Sequence, residues 1–243
     1  MALGTLYLVP NLLGLTPPEH VLPVNTIQIA SRLQYFLVET PKAARQFLKT
    51  LPLLQPLQSL VLHEIPESAT RAEWDALLEP LVNGGDMGVL SDAGCPGVAD
   101  PGALVVAEVH RRGGKVVPLV GPSSILLGLM ASGFNGQQFL FHGYLPADTA
   151  GRAMALKKLQ EDIRKSSCTH IFIETPYRNI RLLADILSVF HPQTEVAIAT
   201  ALTTPEEYIV RGSVERLKTQ QAHLESVLNR QPALFMVGKD SRV

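Results

Sequence analysis

The chain holds only two cysteines, Cys95 and Cys168, in 243 residues, and no histidine or cysteine spacing fits a metal site. A disulfide framework and a zinc module are both excluded on that count. Aromatic residues make up 6% of the chain, with a single tryptophan. Neither sign of charge dominates: 21 Lys and Arg against 22 Asp and Glu leave a net charge of −1. No overall field therefore draws the protein onto nucleic acid or an anionic membrane, although a neutral total leaves room for a local basic groove. No apolar run reaches the ~18 residues of a membrane span. The apolar segment Gly4 to Val9 is short, has no basic flank and runs into Pro10, so it does not read as an export signal. The expectation is a soluble, cytoplasmic protein with no metal and no membrane partner.

What the chain does have is apolar content, 46% against 18% charged residues, enough for large cores. Its length suits two compact domains. Short apolar runs alternate with longer amphipathic ones, which predicts an α/β protein. Strands are predicted at Leu6 to Val9, Tyr35 to Val38, Ser59 to His63, Gly88 to Ser91 and Val116 to Val120, then at Phe139 to His142, His170 to Ile173, Val196 to Thr200, Tyr208 to Arg211 and Leu234 to Val237. Helical spacing marks Ala43 to Leu51, Arg71 to Val82, Gly102 to Arg112, Ala153 to Arg164, Arg178 to Phe190 and Val214 to Leu228. The pattern changes at Val120-Gly121-Pro122-Ser123-Ser124, where a strand ends and Ser123 offers a helix cap. This places a boundary near residue 120, giving domains 1–120 and 121–243.

The segment richest in chemical signal is Ser91-Asp92-Ala93-Gly94-Cys95-Pro96-Gly97-Val98-Ala99-Asp100-Pro101-Gly102. It joins a buried strand to a helix, at the strand edge where open α/β sheets bind ligands. Its glycines let backbone approach a ligand while its prolines keep the loop stiff. Asp100-Pro101 reads as a helix cap followed by a first-turn proline; Asp92 reads equally well as structure or as site. Without Gly-Lys-Ser/Thr or G-x-G-x-x-G the loop is not a polyphosphate cradle, and it suits a neutral or zwitterionic small molecule. Cys95 reads as a small side chain filling a tight turn rather than a nucleophile, since no histidine stands in a partner position. In Glu174-Thr175-Pro176-Tyr177-Arg178, Thr175 could cap a helix begun by Pro176 while Glu174 and Arg178 pair; a carboxylate at a strand's carboxyl end is also where an active-site group would sit.

The Ser91 to Gly102 loop, with Pro118-Leu119-Val120-Gly121-Pro122-Ser123, resembles the class III S-adenosylmethionine methyltransferases, the tetrapyrrole methylase superfamily. The pattern S-D-A-G-x-P-x-x-x-D-P-G is met at every fixed position. The likeness runs from Gly4 through Gly212 and is greatest to the branch that methylates a ribose 2′-hydroxyl of small-subunit ribosomal RNA, whose G-F-L-P segment is similar to Gly143-Tyr144-Leu145-Pro146. The chain departs from that branch at Glu39-Thr40-Pro41-Lys42 (E-D-T-R there), at Tyr177 (histidine in E-S-P-H-R) and at Thr200-Ala201-Leu202-Thr203-Thr204 (R-E-L-T-K). The resemblance implies two α/β/α domains with mixed sheets, S-adenosylmethionine in the interdomain cleft and a homodimer. It implies cofactor contacts at Pro10, Gly94, Cys95, Val98, Ser123, Ser124, Ile173 and Ala201. Glu39, Glu174 and Asp92 become candidates for a general base, and Lys42, Arg45, Arg152 and Arg178 for contacts to ribosomal RNA or the small ribosomal subunit. A methylase of a tetrapyrrole or other small molecule, and an idle S-adenosylmethionine-binding protein, are the competing readings.

Overall fold

The chain divides into two units, Met1–Ser123 and Ser124–Val243, each built on a five-stranded sheet; the computed structural model describes residues 3–239. The first unit contains β1 (Thr5–Leu8), β2 (Tyr35–Val38), β3 (Val61–Glu64), β4 (Met87–Leu90) and β5 (Lys115–Pro118). They lie in the order β3-β2-β4-β1-β5 and are parallel throughout. Parallel neighbours need crossover connections, and helices supply them on both faces. Helices α1 (Val24–Arg32) and α2 (Pro41–Leu48), with Leu33 at the end of α1, pack Ala30, Leu33, Phe47 and Leu48 against Phe36 and Val38 of the sheet. On the other face, α3 (Arg71–Leu77), α4 (Glu79–Val82) and α5 (Gly102–Arg111) pack Trp74, Leu81, Val105 and Val109 against Leu6, Leu37 and Val89. Phe36, Leu37 and Val38 thus alternate between two cores, the period-two signature of a strand buried on both sides.

In the second unit β6 (Phe139–Tyr144), β7 (Thr169–Glu174), β8 (Glu195–Thr200), β9 (Tyr208–Ser213) and β10 (Ala233–Gly238) are ordered β6-β7-β10-β8-β9. Only β6 and β7 run parallel; the other pairings are antiparallel. The expected mixed sheet is therefore found here, whereas every connection in the first unit is a crossover and leaves its sheet wholly parallel. Helices α7 (Thr149–Lys165), α8 (Asn179–Val189), α9 (Val214–Thr219) and α10 (Gln221–Leu228) cover the face that carries the stacked Phe172 and Phe235, whose ring centroids are 5.9 Å apart. The opposite face takes α6 (Ser124–Ser132), which reaches the sheet so closely that a Cβ on Gly128 would overlap Leu234. Arg211 of β9 fastens the end of α6: it pairs with Glu195, donates to the carbonyls of Ser132 and Gly133, and lies 4.3 Å from the Phe134 ring centre.

Candidate functional site

In the first unit the chain leaves β1 and β2 toward the face covered by α1 and α2, but leaves β4 toward the face of α5. Since β4 lies between β1 and β2, its loop diverges from both neighbours and opens a crevice at their carboxyl ends, the usual ligand position in an open parallel sheet. Each strand delivers one polar side chain there: Asn11 after β1, Glu39 after β2 and Asp92 after β4. Hydrogen bonds stitch them together. Asn11 Nδ2 donates to the carbonyls of Ser91 and Asp92, each at 3.0 Å, and the Asn11 N–H to Gly94 O at 2.8 Å. Glu39 Oε2 accepts the Asp92 N–H at 2.9 Å, while Asp92 Oδ1 accepts the Thr40 hydroxyl at 2.8 Å and the Thr40 N–H at 3.1 Å.

The loop after β4 is held open by its own residues. Gly94 and Gly97 take φ of +70° and +87°, the left-handed region that glycine enters without strain. The Asp100 carboxylate accepts the N–H groups of Gly97, Val98 and Gly102. The expected cap is displaced by one residue: Pro101 stands at the cap position and α5 begins at Gly102, while Asp100 still accepts the Gly102 N–H from one residue further out. Cys95 Sγ lies 3.4 Å from Pro122 O, and burial, aided by the Asp100 charge, pushes its thiol further from ionisation. That is a packed small side chain and not an activated nucleophile. Pro122 belongs to a segment pinned at two points: Thr26 donates its hydroxyl to Val120 O at 2.8 Å, and Gly121 lies so close to Pro10 that an added Cβ would come within 2.3 Å of the proline ring. Pro10, Gly94 and Cys95 thus form one wall, Val98 is 48% exposed further along the loop, and Ser123 ends the unit. Neither Asn11 nor Thr26 was expected among the site residues; both act by bonding to backbone carbonyls.

The crevice is anionic. Among the described residues no cation pairs with Glu39, Asp92 or Asp100. Burial pushes the Glu39 carboxyl up from its ordinary value; the charges of Asp92 and Asp100 add to this, against the lowering effect of the Asp92 N–H. Immediately beyond, α2 carries Lys42 and Arg45 on its exposed side and Lys49 follows at its end, with no acidic partner among the described residues.

The remaining candidates belong to the second unit. Glu174 closes β7 in register with Ala233 and, through it, with Thr200 at the end of β8. Its side chain is buried. Oε1 accepts the Thr175 N–H at 2.6 Å and the Arg178 guanidinium at 2.7 Å, and Oε2 has no partner among the described residues. Thr175 does not cap α8; its carbonyl accepts the Arg178 N–H and the helix begins at Asn179. Ile173 lies in β7, Ser124 opens α6, and Ala201 is buried just after β8 with φ of +50°. Arg152 corrects an expectation. It is 2% exposed, with Nε on Asp185 at 2.6 Å, NH1 on the carbonyls of Pro146 and Ala147, and NH2 buried without a partner among the described residues, so the guanidinium expected to meet a phosphate is turned into the fold and away from solvent. The structure also joins two histidines far apart in sequence: His142 Nε2 and His170 Nδ1 are 2.9 Å apart.

Residues 25–218 match the tetrapyrrole (corrin/porphyrin) methylase family. Similar proteins include ribosomal RNA small subunit methyltransferase I of Xylella fastidiosa (strain Temecula1), 31% identical over 92% of this chain and 77% of that protein. The protein of the same name from Micromonospora olivasterospora is 32% identical over 97% of this chain and 71% of its own. Among solved structures, the methyltransferase CobJ superposes with a TM-score of 0.59 at 20% identity, covering 100% of this chain and 97% of that one. Uroporphyrin-III C-methyltransferase from Thermus thermophilus, complexed with S-adenyl homocysteine, gives 0.56 at 18% identity over 98% and 99%. At such identities the structural likeness shows the fold.

Proposed function

The chain belongs to the tetrapyrrole methylases, alongside the small-subunit ribosomal RNA methyltransferases I, and from that membership we propose that it methylates a ribose 2′-hydroxyl of ribosomal RNA. It is an S-adenosylmethionine-dependent methyltransferase. The first unit suits that cofactor. A zwitterion bearing a sulfonium and ribose hydroxyls calls for carboxylates, backbone acceptors and close backbone approach. The crevice offers Glu39 and Asp92 without cationic partners, and a loop of left-handed glycines free of lysine and arginine. When bound, the cofactor supplies an electrophilic methyl group for an in-line displacement, in which alignment is the main catalytic task. Pro10, Gly94, Cys95, Val98 and Ser123 are the contacts proposed on this side.

A ribose hydroxyl must lose its proton as the new bond forms. Glu39 is the carboxylate best suited to accept it, because burial and the adjacent carboxylates raise its proton affinity. Asp92 is engaged by both the N–H and the hydroxyl of Thr40, and Glu174 by Arg178. Asp92 then orients the Glu39–Thr40 turn, and Lys42 and Arg45, three and six residues past Glu39, stand where the acceptor's phosphates would run. The observation that carries this reading is the divergence of the β4 loop from its neighbours, with Asn11, Glu39 and Asp92 bonded into its root. We assign the protein to the cytoplasm as a homodimer, the latter supported by Leu126 and Met130, 53% and 78% exposed on the apolar helix α6; a monomer mass by sedimentation would remove the dimer.

The test uses S-adenosylmethionine labelled on its methyl group and small ribosomal subunits from cells lacking the gene. Label should enter ribosomal RNA, and Glu39→Gln should slow transfer by roughly 10² to 10⁴. Label entering a tetrapyrrole instead would move the acceptor to small molecules. Cofactor binding with no transfer to either would leave a binding protein.

A further inference from the structure

Tyr177 is the most exposed aromatic side chain in the described structure, at 93%, in a protein with few aromatics to spare. It occupies the turn after β7, and that turn is unusually well fixed. Pro176 before it locks one backbone angle. Glu174 Oε1 clamps the turn from beneath through the Thr175 N–H at 2.6 Å and the Arg178 guanidinium at 2.7 Å, and the Arg178 N–H closes it on Thr175 O at 3.0 Å. The ring is therefore presented to solvent on a rigid mount and owes nothing to packing. Around it the chemistry is mixed. The Arg178 side chain is one-third exposed, Arg181 is exposed one helical turn on, and its only bonded partner among the described residues is the Thr149 hydroxyl. A second exposed tyrosine, Tyr144 at 52%, ends the neighbouring strand β6 in register with Ile173.

We propose that Tyr177 is a stacking platform for an unpaired base of the RNA acceptor, with Arg178 and Arg181 beside the flanking phosphates; this rests on the RNA reading above. Single-stranded RNA is held by this combination of flat aromatic faces for the bases and cations for the backbone. A tyrosine has few rotatable bonds, so mounting it on a fixed turn leaves little freedom to lose on stacking. Glu174, being committed to Arg178, serves here to position the turn. Tyr144 extends the platform along the same end of the β6–β7 pair. Stacking uses the ring face and not the hydroxyl, so phenylalanine should substitute and an aliphatic side chain of similar bulk should not.

The experiment is a titration of a short, fluorescently labelled, mixed-sequence single-stranded oligoribonucleotide, and of an abasic strand with the same phosphates, with the full chain and its variants. Because Tyr177 is almost wholly solvated, its replacement does not threaten folding. Tyr177→Ala and Tyr177→Leu should weaken binding of the base-bearing strand roughly 5- to 100-fold, leaving the salt dependence, the abasic affinity and the S-adenosylmethionine affinity unchanged. Tyr177→Phe should bind as the parent does. Equal affinity of parent and Tyr177→Ala for the base-bearing strand overturns the platform alone. Failure of the parent to bind either the oligonucleotide or small ribosomal subunits overturns the RNA reading and the platform with it.

Discussion

Residue by residue, the proposed site separates groups that would meet ligand from groups that hold the fold. Gly94→Val should abolish S-adenosylmethionine binding in calorimetry, because a branched side chain cannot readily adopt φ of +70° and its Cβ would sit 3.3 Å from Leu13. Cys95→Ser should retain activity, since its thiol is packed and held protonated; a folded but inactive variant would contradict this. Arg152→Ala should lower stability by about 2–4 kcal/mol in denaturant titration, the cost of leaving Asp185 and two carbonyls without their cation, and an RNA-affinity loss at full stability would restore Arg152 to the substrate side. The histidine pair adds a pH dependence. His142 and His170 share one close contact, and burial lowers both pKa values, helped at His142 by the neighbouring ring and opposed at both by Asp162. Unfolding frees them to bind protons near pH ~6.5 while the folded pair resists. Stability is therefore full above that value and falls as pH drops through the lowered pKa values. His142→Phe should flatten the acid limb of a plot of melting temperature against pH; an unchanged slope would show that the acid limb has another source.

The elements were largely legible before the structure. All ten expected strands form, because short apolar, β-branched runs between turn signals leave few alternatives. Helix α1 escaped detection: Val24–Arg32 mixes Asn, Thr, Gln and Ser into a nine-residue segment, and packing supplies what its pattern lacks. The single helix expected over Arg71 to Val82 breaks into α3 and α4, with Pro80 in the first turn of α4, where its missing N–H costs nothing. At the site, the loop and its neighbouring carboxylates could be found from motif and strand position. The joining of Asn11 to Ser91 and Gly94 could not, since it depends on β1 and β4 becoming neighbours. Asp100 connects loop to helix, so Asp100→Ala should cost about 1–2 kcal/mol of stability and also weaken cofactor binding. Full cofactor affinity in that variant would show that the loop keeps its shape unaided.

For the whole molecule, a net charge of −1 conceals separated fields: an anionic crevice and, along the adjoining helix, Lys42, Arg45 and Lys49, without an acidic partner among the described residues. If single-stranded RNA follows α2, replacing all three by alanine should reduce the slope of log affinity against log salt by about 2, with cofactor affinity retained. An unchanged slope would take the RNA path off this helix. The second sheet carries a different consequence. Its central strand, β10, stands between β7 and β8 and follows both of them in the chain. On the ribosome, a nascent chain emerged as far as Leu228 holds β6 to β9 with a gap where one edge of β7 and one edge of β8 face each other unfilled. Every strand edge along that gap is a place for wrong pairing until the six residues of Ala233–Gly238 arrive. Synthesis that stalls between those two points should yield chains that depend on chaperones, and release of β10 should free them.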